Sequence, residues 1–196
     1  VGEHTIALKE WASTISALLE GEQLILLRKG GIHEETRHFE TRSDSFYLYP
    51  TYEHQRRELL KPEVRHYVDD SLRELESPGL LTGQTYLYAW AEVADDFLVT
   101  SEQELSRLYD FHMWEANFAE ERLRWKRQDP LHVLLLRVHR LNRPLHVPAL
   151  PEYGGCKSWI ELQELPRPDK DNLTPVLSLT EFAEKARVLR RALRSS

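Results

Sequence analysis

The order in which strand-like and helix-like stretches follow one another restricts the fold of this chain more than any other feature. Thr5 to Glu20 carries Ala7, Trp11, Ile15, Leu18 and Leu19 at spacings of three and four, with Gly21 as a stop, and predicts a helix. Two short apolar strands follow, Gln23 to Lys29 and Ser45 to Tyr49. The polar stretch between them, His33 to Asp44, reads as an exposed connection. From Thr51 the pattern turns helical, breaks at Lys61-Pro62, and resumes through Val64, Tyr67, Val68, Leu72 and Leu75 until Pro78-Gly79. Thr85 to Val93 alternates as a half-buried strand, and Phe97 to Thr100 continues it after a turn at Asp95-Asp96. Ser101 with Glu104 forms a capping box that opens a helical stretch reaching Gln128, with a break near Asp110. Leu131 to Leu141 is the longest apolar strand candidate, paired with Arg143 to Val147 across a turn at Asn142, and Lys157 to Leu162 is the last strand. A helix from Thr180 closes the chain, with Phe182, Ala186, Leu189 and Leu193 on its apolar face.

Helices and strands in this succession do not alternate singly, which excludes a doubly wound parallel sheet. The expected class is α+β, with a mainly antiparallel sheet, barrel-like in one variant, and helices packed on one side. Residues 1–165 form one domain in this reading. Residues 166–196 supply a proline-bearing linker and a C-terminal helix packed on that same domain.

The chain has 196 residues, 41% apolar and 30% charged, enough for a sizeable core in an ordinary globular protein. No apolar run reaches the roughly 18 residues that a membrane span needs. Val-Gly-Glu-His-Thr at the start lacks the regions of a signal peptide. Cys156 is the only cysteine, so an intrachain disulfide is impossible and a reducing, cytoplasmic location is expected. A net charge of -6 argues against indiscriminate binding to nucleic acid or anionic lipid, but leaves room for a local basic face. Two stretches offer one: Arg122, Arg124, Lys126 and Arg127, and then Arg187, Arg190, Arg191 and Arg194 on the last helix.

The segment Glu22 to Gln55 concentrates candidate chemistry. The first strand runs into Arg28, Lys29, Gly30 and Gly31, where two glycines can bring backbone N–H groups close to a phosphate and two cations supply charge. The phosphate-loop pattern Gly-x-x-x-x-Gly-Lys-Ser/Thr is absent, and a Gly-Gly turn with solvated cations is the plainer reading. The second strand runs through Pro50 into Thr51, Tyr52, Glu53, His54 and Gln55, read as a helix opening whose N–H groups face an anion. There His54 is a candidate acid/base with Tyr49 as a hydroxyl donor, against a capping or packing role.

Other patterns carry less. His33-Glu34-Glu35-Thr36-Arg37-His38 fails the zinc-protease spacing, because Arg37 stands where the second histidine must be. His132, His139 and His146 recur every seven residues, an odd spacing that turns neighbours to opposite faces of one strand. Asp95-Asp96, and Asp169 with Asp171, are paired carboxylates better explained by turns. Cys156 has a cation neighbour in Lys157 but no identifiable histidine partner. Pro168-Asp169 begins a restriction-type nuclease pattern, yet no lysine has an acidic residue two positions earlier. The sequence names no metal and no cofactor.

Four motifs in order, Ala7-Leu8-Lys9-Glu10-Trp11, Leu27-Arg28-Lys29-Gly30-Gly31-Ile32, Leu48-Tyr49-Pro50-Thr51 with His54-Gln55, and Tyr153-Gly154-Gly155-Cys156-Lys157-Ser158-Trp159, resemble a bacterial family called domain of unknown function 1802. The resemblance covers nearly the whole chain. It implies an association with restriction-modification and names no catalytic residue. Two functions stand side by side at this point. One is an accessory domain binding nucleic acid or a nucleotide through Arg28, Lys29, Gly30, Gly31, Gln55, His54 and the C-terminal arginines. The other is a small-molecule enzyme with His54 as acid/base and Arg28 as anion clamp, with a non-catalytic partner-binding protein as a third possibility.

Overall fold

The structure is a computed structural model that describes residues 5–29, 43–77, 82–125 and 129–194. Its strands are β1 (Thr5–Trp11), β2 (Ile25–Arg28), β3 (Ser45–Thr51), β4 (Gln84–Val99), β5 (Leu131–Pro148), β6 (Trp159–Leu162) and β7 (Leu173–Pro175). The α-helices are α1 (Ala12–Leu19), α2 (His66–Leu75), α3 (Glu102–Ser106), α4 (Ala116–Arg124) and α5 (Leu179–Arg194). The strands form one mixed sheet in the order β2-β5-β4-β3-β1-β6, with β7 paired to β5. Among the described residues only β1 and β3 run parallel; the other pairings are antiparallel. The α+β, mainly antiparallel expectation holds, while the pairing path ends at β2 and β6 and does not close into a barrel.

β2 and the Val133–Leu136 part of β5 bury both faces, which explains their aliphatic runs. Ile25 and Leu27 join Val133 and Leu135 in a core with Tyr67 and Val68 of α2, Ala119 and Leu123 of α4, and Ala186 and Leu189 of α5. Leu26 and Leu134 turn the other way, to Leu8, Phe46, Leu48, Trp159 and α1's Ile15 and Leu18. Helices therefore cover both faces of this part of the sheet, and the expected one-sided packing is corrected. A third cluster, with Tyr47, Tyr49, Trp90, Tyr153 and Ile160, fills the remaining part.

The largest departure from expectation is at the start. Thr5 to Trp11 is a strand, and only Ala12 onward is helix. The spacing of Ala7, Trp11 and Ile15 mimics one helical face, but Ala7 and Leu8 are both fully buried on opposite sides, as a central strand requires. Expected turns at Asp95-Asp96 and Asn142 also dissolve. β4 and β5 each run through as one long strand, and two register shifts absorb the irregular sequence, one between Leu87 and Ala89 where the partner moves from Leu145 to Arg140, the other between Val93 and Asp95. The Ser101–Glu104 capping box is present in full. Within the proline-bearing linker, Leu173–Pro175 adds β7 to β5.

His112 lies beneath Trp114 and is 5% exposed. Its Nδ1 accepts the Trp114 N–H at 3.2 Å. Burial, and secondarily the Lys61 ammonium that donates to the His112 carbonyl at 2.6 Å, push its pKa from 6.5 down to about 4. The unfolded chain takes up this proton near pH 6.5, well before the folded one. Stability from this group is complete above that pH and falls as acid is added, by roughly 2–3 kcal/mol between pH 7 and pH 4.5. Urea unfolding across this range, compared with His112→Asn, should show the wild type losing more stability than the variant; equal slopes would refute the assignment.

Candidate functional site

One end of the sheet gathers polar groups from segments far apart in sequence. The parallel pairing of β1 and β3 brings Trp11 opposite Thr51, so both strands finish there. β6 runs the other way and therefore starts at that end, with the Lys9 N–H donating to the Ser158 carbonyl at 2.8 Å. α1 begins directly after β1, so its first N–H groups open at the same place.

Glu10 is the centre of this arrangement. Only 4% exposed, it accepts the Trp11 N–H on Oε1 at 2.8 Å and Arg28 Nη1 on Oε2 at 3.2 Å. The same guanidinium donates to the Lys9 carbonyl at 3.2 Å and to Ser158 Oγ at 2.5 Å. Arg122 of α4 approaches from below, donating to the Leu27 carbonyl at 2.8 Å with its guanidinium 5.9 Å from the Trp114 ring centre and 5.3 Å from that of Phe118. Burial lowers the pKa of Arg122, the Glu10 carboxylate favours its charge and Arg28 opposes it.

Lys9, buried beside this pair, donates to the Gly155 carbonyl at 2.8 Å. Burial depresses its pKa, Cys156 and Glu53 favour its charge, and Lys157 and Arg28 oppose it. Thr51 Oγ1 donates to the Glu10 carbonyl at 3.1 Å. Gln55 ties two helices together: its Oε1 accepts the Ser13 N–H in the first turn of α1 at 2.9 Å, and its Nε2 donates to Ser71 of α2 at 3.1 Å. Around Glu10 and Glu53 thus stand Lys9, Arg28, Arg122 and Lys157, a local excess of positive charge in a chain of net charge -6.

The residues singled out from sequence land in different places. Arg28 and Gln55 lie in the cluster, but Arg28 is turned inward onto Glu10 and Ser158. Lys29 is buried too, its ammonium donating to the Leu123 carbonyl of α4. Gly30 and Gly31, like His33 to His38, lie outside the described residues. The expected helix opening at Thr51 is absent: Thr51 still belongs to β3, His54 adopts a left-handed φ of 67° incompatible with a helical turn, and the first helical residues are Arg57–Leu59. His54 is exposed, whereas Tyr49 is 7% exposed with its hydroxyl 3.0 Å from Thr85 Oγ1 and its pKa raised by burial. On α5, Arg190 pairs with Asp95 at 3.2 Å and Arg187 lies 3.9 Å from Glu184, while Arg191 and Arg194 are exposed. Asp96 holds Nδ1 of His132 at 2.9 Å, so the Asp95-Asp96 carboxylates serve two separate pairs.

Lys9 and Glu10 were not among the residues nominated from sequence, whereas Arg122 was named within a basic stretch and Lys157 only as the cation beside Cys156. A signal existed in Lys9-Glu10, two charges inside an apolar run, but reading that run as a helix put them on a solvated flank.

A family model described as "Domain of unknown function (DUF1802)" matches residues 7–188. Among solved structures, a mutant ZmASCH protein from Zymomonas mobilis is similar with a TM-score of 0.44 and 14% sequence identity, covering 96% of this chain and 99% of that one. No curated protein matches.

Glu10→Gln keeps the shape of the side chain and removes the charge that Arg28 and Arg122 share. Breaking such a buried pair costs roughly 3–5 kcal/mol. Urea denaturation should show that loss, and a change under about 1 kcal/mol would deny Glu10 its organising role.

Proposed function

We propose that this chain, which belongs to the DUF1802 family, is a nucleic-acid-binding accessory domain whose binding surface is the sheet end around Lys9, Arg28 and Lys157. The observation that carries the reading is the gathering of cations from β1, β2, α4 and the segment before β6 around a single buried carboxylate in an acidic protein. A cationic patch on an otherwise negative molecule attracts a polyanion locally and repels it elsewhere, which orients the encounter. Arg28 and Arg122 fix the frame. Lys157, exposed with its ammonium donating to the Glu152 carbonyl at 3.3 Å, meets the phosphates.

The exposed Arg187, Arg191 and Arg194 of α5 add a second strip of phosphate contacts in this reading, with Arg190 held by Asp95. The proposed link to restriction-modification fits a module that supplies binding and leaves cleavage to another domain. The small-molecule reading has less support, because Arg28 is spent on Glu10 and Ser158 while His54 stands exposed on a turn.

Fluorescence anisotropy with labelled oligonucleotides over a series of salt concentrations tests this function. Affinity should fall log-linearly with salt, and Lys157→Ala should weaken it and flatten the slope by somewhat under one unit. Absence of binding to any oligonucleotide at low ionic strength would overturn the reading.

A further inference from the structure

Among the described residues three buried side-chain polar atoms lack a hydrogen-bond partner, and two of them, Arg137 Nε and His139 Nδ1, are neighbours on β5. Two positions apart, these side chains leave the same face of the strand. β3, β4 and β5 are paired here without a break, with Ser45 opposite Glu92 and Glu92 opposite Arg137, then Tyr47 opposite Trp90 and Trp90 opposite His139. Two rows of three residues therefore share one face of the sheet. His139 is 8% exposed, Trp90 beside it is 4% exposed, and Arg137 is half-buried. Arg167, from the segment that follows β6, crosses this face: its guanidinium lies 5.5 Å from the Trp90 ring centre and donates to Ser45 Oγ. Tyr47 meets Trp90 edge-on at 4.9 Å and donates to the Pro166 carbonyl at 2.9 Å, which fixes the residue before Arg167.

Three basic side chains thus meet over one indole. Elsewhere in the molecule the withdrawn bases are provided for: Lys9, Arg28, Lys29, Lys61 and Arg122 each donate to a carboxylate or a carbonyl. Among the described residues Arg137 donates to no protein group, and neither it, His139 nor Arg167 forms an ion pair. Glu92, opposite Arg137, is exposed, and Asp169 lies close enough to add to the rise that burial causes in the Tyr47 pKa. Burial lowers the pKa of His139, while Glu92 favours its charge and Arg137 opposes it. An enclosed donor without an acceptor is destabilising, and proteins keep few of them. Two side by side, one on a permanent cation, match an acceptor that carries negative charge.

We propose that Arg137, His139 and Arg167 form a phosphate site on this face of the sheet, taking a phosphate group, free or as a monoester, with Arg137 Nε and His139 Nδ1 as inner donors and Arg167 as outer clamp. The planar guanidinium of Arg137 offers a fork of N–H groups to the phosphate oxygens. His139 presents Nδ1–H to a second oxygen, and a dianion beside the ring favours its protonation. Both inner atoms are enclosed, so entry requires the exposed Arg167 to turn away from Ser45, exchanging a bond to a neutral hydroxyl for a stronger one to an anion. The site lies at the start of β3, whereas Lys9 and Arg28 gather near its Thr51 end, and it does not depend on the nucleic-acid reading.

NMR titration of the histidine rings in the full chain provides the test. Inorganic phosphate, added at constant ionic strength, should shift the His139 resonances saturably and raise its pKa by about one unit or more, whereas acetate at the same concentration should do neither. Adenosine monophosphate in place of inorganic phosphate separates the sources: tighter binding assigns a monoester, equal or weaker binding the free ion. Arg137→Gln should weaken phosphate by roughly ten-fold, the loss of one charge-assisted bond. Glu92→Gln, at an exposed position that folding does not depend on, removes an opposing carboxylate and should tighten phosphate by about two-fold. An unmoved His139 titration, equal shifts with acetate and phosphate, or affinity indifferent to both substitutions would overturn the assignment.

Discussion

A carboxylate removed from water with two guanidinium groups beside it constrains this molecule more than any other contact. Glu10 is 4% exposed, and burying an ionised carboxylate alone costs several kcal/mol. The cost is offset only if the end of β1, the end of β2, the segment leading into β6 and the buried arginine of α4 arrive together. Such a pair adds little net stability over apolar packing, but every arrangement that leaves one partner behind is penalised heavily. Glu10 thus acts as a registration pin: it selects one way of assembling strands that apolar contacts alone would allow to slide.

The same pin shapes the charge of the surface. A single carboxylate neutralises only part of the positive charge brought to it; Lys9 is buried against the Gly155 carbonyl, and Lys157 stays exposed. On a protein with more acids than bases, an exposed cation of this kind is where the proposed polyanion would approach.

Much of the architecture was readable from residue order. The class, the two short strands read at Gln23 to Lys29 and Ser45 to Tyr49 and found at Ile25–Arg28 and Ser45–Thr51, the capping box at Ser101 and the closing helix all follow local rules that tertiary contacts did not override. The first strand was not readable, because Ala7, Trp11 and Ile15 satisfy a helical period by coincidence while the deciding fact, burial of Ala7 and Leu8 on opposite faces, belongs to partners far away. The extra residue of β4 between Val93 and Asp95 hid its continuity for a related reason: an inserted residue breaks the two-residue alternation on which strand reading depends. Arg28 was found as a cation at a strand end, yet its direction depended on Glu10, which the mistaken helix had turned toward solvent. His54 was misplaced because a left-handed residue other than glycine leaves little trace in sequence.

The pairing of β1 with β6 carries a consequence for how the chain comes into being. Thr5 is opposite Leu162, and its hydroxyl donates to the carbonyl of Leu165, 160 positions later. During synthesis the amino-terminal strand emerges long before the segment that completes its outer edge has been made. Contacts of such sequence separation close late and make folding slow. The nascent chain must therefore wait with an unpaired hydrogen-bonding edge exposed, which makes that interval on the ribosome the time when a chaperone would matter most to it.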